Sequence, residues 1–326
     1  MTSASTLLVR VPASTSNLGS GFDCVGMAVA RSLEVRVSRS GEQIAPRIAR
    51  SGTLGTLECA EDDDLIWRGI VATSVALRRP SPAGLHLDAV SDIPVARGLG
   101  SSAAAVVAGV HIANALLDGN LDTAAMIEIA AALEGHPDNV APAILGGAVL
   151  SVRTSGHQYR SVPLTVHPSL RFVFVVPDFE VRTSVARSVL PASVSFENAV
   201  TASSRAAALV AGLQSADAAI LSVALDDVLH VPARRALIRG YEHVTNAAIT
   251  AGAIGATLSG SGSSIVAVTT EHAANAVRDA ALAAWRIAGV GADAFITSAE
   301  HRGAYIQHAS ATPQPAAQHT LHHTRV

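Results

Sequence analysis

The sequence predicts an α+β fold, with helices laid on one face of largely antiparallel sheets. Several segments alternate apolar and polar residues with the period-two pattern of half-buried strands. These segments interleave with long apolar stretches of helical length. A doubly wound parallel sheet, buried on both faces, would instead give strands that read mostly as continuous apolar runs. A length of 326 residues at 49% hydrophobic content supplies core material for about two domains.

Taken in order, residues 6–11 (TLLVRV) read as a strand and 13–21 as a polar, glycine-rich bend. Residues 33–38 set Leu33, Val35 and Val37 against Glu34, Arg36 and Ser38, a second strand. Residues 64–79 read as a helix whose acidic entry suits its positive end, and 84–90 as a strand. A loop over 91–100 leads into helices at 101–117 and 122–134. After Gly146-Gly147 the strands AVLSV and LRFVFVV are expected, joined by a connection over 153–168. Helices follow at 183–190, 196–213, 216–223 and 241–251, then a strand at 264–270, a helix at 272–287 and a strand at 292–298. The expected domains are 1–165 and 166–302. Residues 303–326 lack apolar periodicity and read as a disordered tail.

Net charge is −3, so no basic surplus is available to neutralise a run of phosphates and a nucleic-acid partner is not expected. Cys24 and Cys59 are the two cysteines, too few for a disulfide framework and not spaced as a CxxC metal site. The first residues lack the basic start and apolar core of a signal peptide, and no charge-free run reaches membrane-spanning length. The expected setting is the cytoplasm, away from membranes.

The strongest chemical signal is Pro94-Val95-Ala96-Arg97-Gly98-Leu99-Gly100-Ser101-Ser102-Ala103-Ala104. A glycine bend feeds straight into an apolar helix, whose free N–H groups and positive dipole suit phosphate oxygens. Ser101 or Ser102 can cap the helix or touch phosphate or Mg²⁺. The plainer reading is a glycine turn with an ordinary serine cap. Neither GxxxxGK[ST] nor GxGxxG is present here. Two more glycine-serine segments, PASTSNLGSGFD with Asn17 and Asp23, and GATLSGSGSS with Gly260, Ser261 and Gly262, could converge with it on one anionic ligand.

Glu134, His136, Asp138 and Asn139 crowd a helix exit in EGHPDNVAP. A carboxylate there suits Mg²⁺, which takes one or two carboxylates beside substrate phosphates. Asp138 reads either as a base or as an N-cap for the adjoining segment, and Asn139 as a group that positions a hydroxyl. Arg187 and Arg234 carry forks suited to a carboxylate, although a solvated surface arginine is the commoner case.

Together these segments resemble the GHMP kinases over about 5–300, with three motifs in the family's order. The resemblance implies an N-terminal domain like ribosomal protein S5 domain 2 and a ferredoxin-like C-terminal domain. Within the family NLGSGFDCVG, EGHPDNVAPAILGG, TSVARSVLP and PARRALIRG are most similar to the branch that phosphorylates L-homoserine in threonine biosynthesis. It implies ATP on the Gly98–Ser102 loop and direct in-line transfer to the L-homoserine hydroxyl. It places Asn17, Asp23, His136, Asn139, Arg187 and Arg234 at the substrate, with Asp23 at the amino group and both arginines at the carboxylate. Asn139 is placed nearest the reacting hydroxyl, with Asp138 as the rival base. Glu134 with Ser102 is assigned to Mg²⁺, Glu128 being the alternative carboxylate. The family also suggests a homodimer. Two rivals stand beside this reading: another GHMP kinase, acting on mevalonate or a sugar, and a non-catalytic metabolite sensor on the same fold.

Overall fold

The computed structural model describes residues 6–39 and 46–309. Its first half builds a seven-stranded sheet from β1 (Thr6–Asn17), β2 (Gly21–Arg39), β3 (Arg47–Gly52), β4 (Leu85–Ser91), β5 (Ala148–Arg153), β6 (Tyr159–Leu164) and a strand from the far end of the chain. Strands β1 and β2 form a long bulged hairpin, β5 and β6 a second, and only β3 pairs in parallel, with β4. Helices α1 (Leu65–Ala76), α2 (Ser101–Leu116), α3 (Thr123–Glu134) and α4 (Val140–Leu145) accompany this sheet.

Helix α2 is buried almost all round, from Ala103 through Ala113, as expected of a helix apolar on every side. It meets α1 glycine to glycine. A Cβ on Gly69 would come within 2.5 Å of the Val106 carbonyl oxygen, and one on Gly109 within 2.1 Å of the Ile66 carbonyl oxygen. The two backbones therefore touch directly, with no room for a side chain at the crossing.

The second half holds a four-stranded antiparallel sheet in the order β10-β7-β9-β8, from β7 (Leu170–Pro177), β8 (Gly255–Leu258), β9 (Ile265–Thr270) and β10 (Ala292–Thr297). Its helices are α5 (Thr183–Ser188), α6 (Phe196–Ser215), α7 (Ala218–Leu225), α8 (Val231–Arg234), α9 (Tyr241–Thr250) and α10 (Ala274–Ile287). β7 reads as a continuous apolar run because both its faces are covered. Phe172 and Phe174 join the core of the first half, while Val173 and Val175 pack with Val244 of α9 and Trp285 of α10.

Several expectations need correction. The bend expected over 13–21 is mostly strand, with a tight turn at Leu18–Ser20. The connection expected over 153–168 contains β6. The tail expected from 303 instead begins with β11 (Tyr305–Ala309), which pairs antiparallel with β1 and closes the first sheet. The remainder of that expected tail, 310–326, lies outside the described residues.

Candidate active site

The three glycine-serine segments interlock. From the first, Ser14 N–H donates to the Leu99 carbonyl at 3.2 Å, and the Ser16 carbonyl accepts from Gly260 N–H at 3.1 Å. From the last, the Ser259 hydroxyl donates to the Gly98 carbonyl at 2.6 Å and lies 2.9 Å from the Thr15 hydroxyl. Gly98 sits at φ +72°, and an added Cβ would lie 2.0 Å from the Ser259 carbonyl oxygen. A left-handed backbone with a neighbouring chain pressed against it admits only glycine.

Gly100, itself left-handed, is the N-cap of α2 and no side chain caps this helix. Ser101 and Ser102 are its first helical residues, so neither is the cap the sequence suggested. With no side-chain cap, the first-turn amides keep their capacity for an anion. The Ser102 hydroxyl donates to Glu134 at 2.9 Å. Burial pushes the Glu134 carboxyl up, and the Ser102 hydrogen bond, His136 and Arg68 pull the other way.

Beyond Gly135, which ends α3 in a left-handed conformation, the chain turns back on itself. Asp138 is 1% exposed and its Oδ1 lies 2.5 Å from Nδ1 of His136. Burial opposes a charge on His136, but the hydrogen bond and charge of Asp138 outweigh it, and the net shift is upward. Asp138 is not a helix cap; Asn139 occupies that position in α4, with its side chain turned elsewhere. The Ser14 hydroxyl donates to Asn139 Oδ1 at 3.0 Å, and Asn139 Nδ2 donates to Ser16 Oγ at 3.1 Å. Both ends of the amide are thus fixed by β1.

Asn17 is held the same way, Nδ2 donating to the Gly260 carbonyl and Oδ1 accepting from Asp23 N–H, both at 2.9 Å. Arg187 forks onto Asp23 at 2.9 and 3.1 Å. Arg234, 2% exposed, donates through Nε to the Ala186 carbonyl at 3.1 Å. Its pKa falls through burial and the nearby Arg187 cation.

These groups line one cavity of about 800 Å³. It is walled by Val95 through Ser102, by Glu134, His136, Asp138 and Asn139, by Asn17, Asp23, Arg187 and Arg234, and by Gly260 and Ser261. Pro94, Ala103, Ala104 and Gly262 are not on the wall, and Ala103 and Ala104 are fully buried core. Glu128 is not brought there either: its carboxylate accepts the Tyr159 N–H on β6. A single carboxylate with a hydroxyl, beside room for phosphates, fits Mg²⁺. No cluster of three or more His, Cys, Asp or Glu suited to a metal occurs among the described residues.

Sequence reasoning missed Ser14, Ser16 and Ser259, which fix the site's polar groups, and His230, which backs Arg234. The first two lie within the PASTSN segment. For His230 the four-residue spacing to Arg234, one helical turn, was the available signal.

The model for the GHMP kinases N terminal domain matches residues 64–147, and that for GHMP kinases C terminal matches 207–287. A homoserine kinase of Moorella thermoacetica is 44% identical over 80% of this chain and 86% of its own length. One from a Synechococcus species is 40% identical over 80% and 85%. The crystal structure of a homoserine kinase from Cytophaga hutchinsonii superposes with TM-score 0.83 at 32% identity, covering 93% of this chain and 97% of its own. An L. major mevalonate kinase, in complex with R-mevalonate, shares the fold at TM-score 0.67 and 17% identity, covering 89% and 95%.

Proposed function

This chain belongs to the GHMP kinase family, and from that premise we propose that it transfers the γ-phosphoryl group of ATP to the hydroxyl of L-homoserine, giving O-phospho-L-homoserine for threonine biosynthesis. The observation that carries this is the shared cavity. An uncapped helix N-terminus with Ser102 and Glu134 lines the same space as Asp23, Arg187 and Arg234, a set that suits both charges of an amino acid. The two relatives at 44% and 40% identity, both named homoserine kinase, support the same substrate.

Phosphoryl transfer needs little covalent help from protein, so positioning and charge carry the catalysis. The Gly98–Ser102 backbone and the α2 dipole would receive the ATP phosphates. Glu134 and Ser102 would hold Mg²⁺, which when bound neutralises phosphate charge. Asn139, clamped by Ser14 and Ser16, would orient the acceptor hydroxyl. An amide with both ends engaged is no base, so the alcohol proton would leave to phosphate or solvent. Asp23 and Arg187 now satisfy each other. A zwitterion would replace that pair with ammonium on Asp23 and carboxylate on Arg187 and Arg234, keeping every charge matched.

A coupled ADP-release assay with ATP and Mg²⁺ tests this, offering L-homoserine, L-threonine, L-serine, mevalonate and galactose separately. Clear preference for L-homoserine is expected. Turnover only with mevalonate or a sugar would discard the substrate assignment, and ATP binding without turnover of any of the five would favour a sensor. No helix among the described residues is long and apolar enough to cross a membrane. A cytoplasmic location and a homodimer belong to the same proposal.

A further inference from the structure

Arg234 reaches the cavity with most of its donors already spent. Nε takes the Ala186 carbonyl at 3.1 Å, and Nη1 reaches the Gly260 carbonyl at 3.4 Å. Nη1 also lies 3.2 Å from Nδ1 of His230, one helical turn earlier. Among the described residues no acceptor takes Nη2.

That contact dictates the state of His230. An arginine only donates, so Nδ1 must offer a lone pair. The ring proton then sits on Nε2, which donates to the Gly19 carbonyl at 3.1 Å. The imidazole is fully buried, and both its nitrogens are used. Burial pushes its pKa down against the pull of Asp227, and the Arg234 cation adds to the fall. Phe22 stacks on the ring at 4.8 Å, and its own ring centre lies 5.2 Å from the Arg234 guanidinium carbon. The turn carrying His230 is pinned in its place. One carboxylate oxygen of Asp227 accepts the N–H groups of Leu229, His230 and Val231 at 3.0, 2.6 and 2.8 Å.

We propose that His230 is a positioning residue for the substrate carboxylate: its Nδ1 lone pair orients the Arg234 guanidinium so that Nη2 is left for substrate, while its Nε2–H ties that arginine to the Leu18–Ser20 turn that leads to Asp23. The inference rests on the reading of L-homoserine as substrate. It explains how two binding groups from opposite halves of the chain keep register. Asp23 stands on β2 just beyond the turn whose Gly19 carbonyl His230 holds, and Arg234 is held by the same ring. A substrate ammonium and carboxylate sit a fixed distance apart, and one rigid side chain sets the spacing of the groups that receive them.

The test is steady-state kinetics on the full chain with His230→Leu, His230→Asn and His230→Gln. Asparagine can present an acceptor where Nδ1 stood; glutamine can present a donor near the place of Nε2. Leucine and glutamine should raise KM for L-homoserine about tenfold or more, because a buried charged donor loses its acceptor. In all three variants, kcat and KM for ATP should stay within about threefold, the pattern of lost substrate binding rather than lost chemistry. Asparagine should restore part of the KM for L-homoserine, since it returns the acceptor for Arg234 but not the tie to the Gly19 carbonyl. Effects that follow the loss of Tm and ignore the acceptor, with asparagine and glutamine equally impaired, would overturn the inference, as would an unchanged KM in the leucine variant. Should the leucine variant fail to fold, the two polar variants still decide. A wild-type chain that does not turn over L-homoserine overturns the functional reading and this inference with it. A wild-type chain that does, beside variants that do not separate, overturns the inference alone.

Discussion

Asp138 is the residue whose role decides whether a side-chain base takes part in the transfer. At 1% exposure a carboxylate persists only with partners, and its Oδ1 is taken by His136 at 2.5 Å. Asn139 Nδ2 approaches the same oxygen at 3.5 Å, a marginal contact beside its 3.1 Å bond to Ser16. A group engaged in holding an imidazole is poorly disposed to take a proton from substrate. Asp138→Asn should therefore lose less than about tenfold in kcat, where removal of a general base costs about 10²–10⁴-fold. KM for L-homoserine should rise, because His136 loses the charged partner that orients it. Turnover and binding measured together decide the matter. A kcat reduced by several orders of magnitude with both substrates still bound would make Asp138 the base.

At the scale of elements, the site exists because three loops lock against one another, and Gly98 is where they meet. An alanine there places Cβ 2.0 Å from the Ser259 carbonyl oxygen at φ +72°. Something must move, and the neighbours that move carry Ser261 on one side and the start of α2 on the other. Gly98→Ala should raise KM for ATP at least about tenfold and lower Tm by several degrees, since strain of about 1–2 kcal/mol comes on top of the clash. Gly147→Ala is the matched control: φ is +65° but no atom lies within 4 Å of the new Cβ. It should lower Tm modestly and leave KM for ATP unchanged. Equal kinetics in the two variants would mean that the contact with Ser259 is irrelevant to ATP. The same interlock explains which elements the sequence revealed. The helices α1, α2, α3, α6, α9 and α10 and the strands β4, β7, β9 and β10 announce themselves by apolar pattern. The second half of β1 does not, because Ser14, Thr15, Ser16 and Asn17 are polar yet at most 3% exposed, their hydrogen bonds met by the other loops and by Asn139. Hydropathy fails where a functional site buries polar groups. β3, mostly exposed, and β8, inside the last glycine segment, carry too little alternation to read. The six residues assigned to the substrate by their motifs do gather at one cavity. The serines that hold them were not legible, because their partners are distant in sequence, and His230 is marked only by its one-turn spacing to Arg234, which does not stand out without the fold.

At the scale of the molecule, the two sheets share a core, which sets how the chain should unfold. Phe172, Phe174 and Val176 on β7, with Val266 and Val268 on β9, pack into the cluster that contains Val9, Val35 and Val107 of the first half. The opposite face of β7 packs under α10 with Trp285. β11, from the far end of the chain, completes the first sheet beside β1. Neither half can leave without exposing apolar faces of the other, so stability resides in the pair. The two tryptophans report on this separately, since Trp67 packs against the first core and Trp285 is fully buried in the second. In Trp67→Phe only the second core fluoresces, and in Trp285→Phe only the first. Urea unfolding of each variant should give a fluorescence midpoint that coincides with its own far-UV circular dichroism midpoint, the signature of one cooperative transition. Comparing probes within a variant matters, because replacing the buried Trp285 lowers overall stability by itself. A fluorescence midpoint displaced from the dichroism in either variant would mean that the halves unfold independently. The register between Asp23 on the first half and Arg234 on the second would then rest on the His230 link, with no shared core behind it.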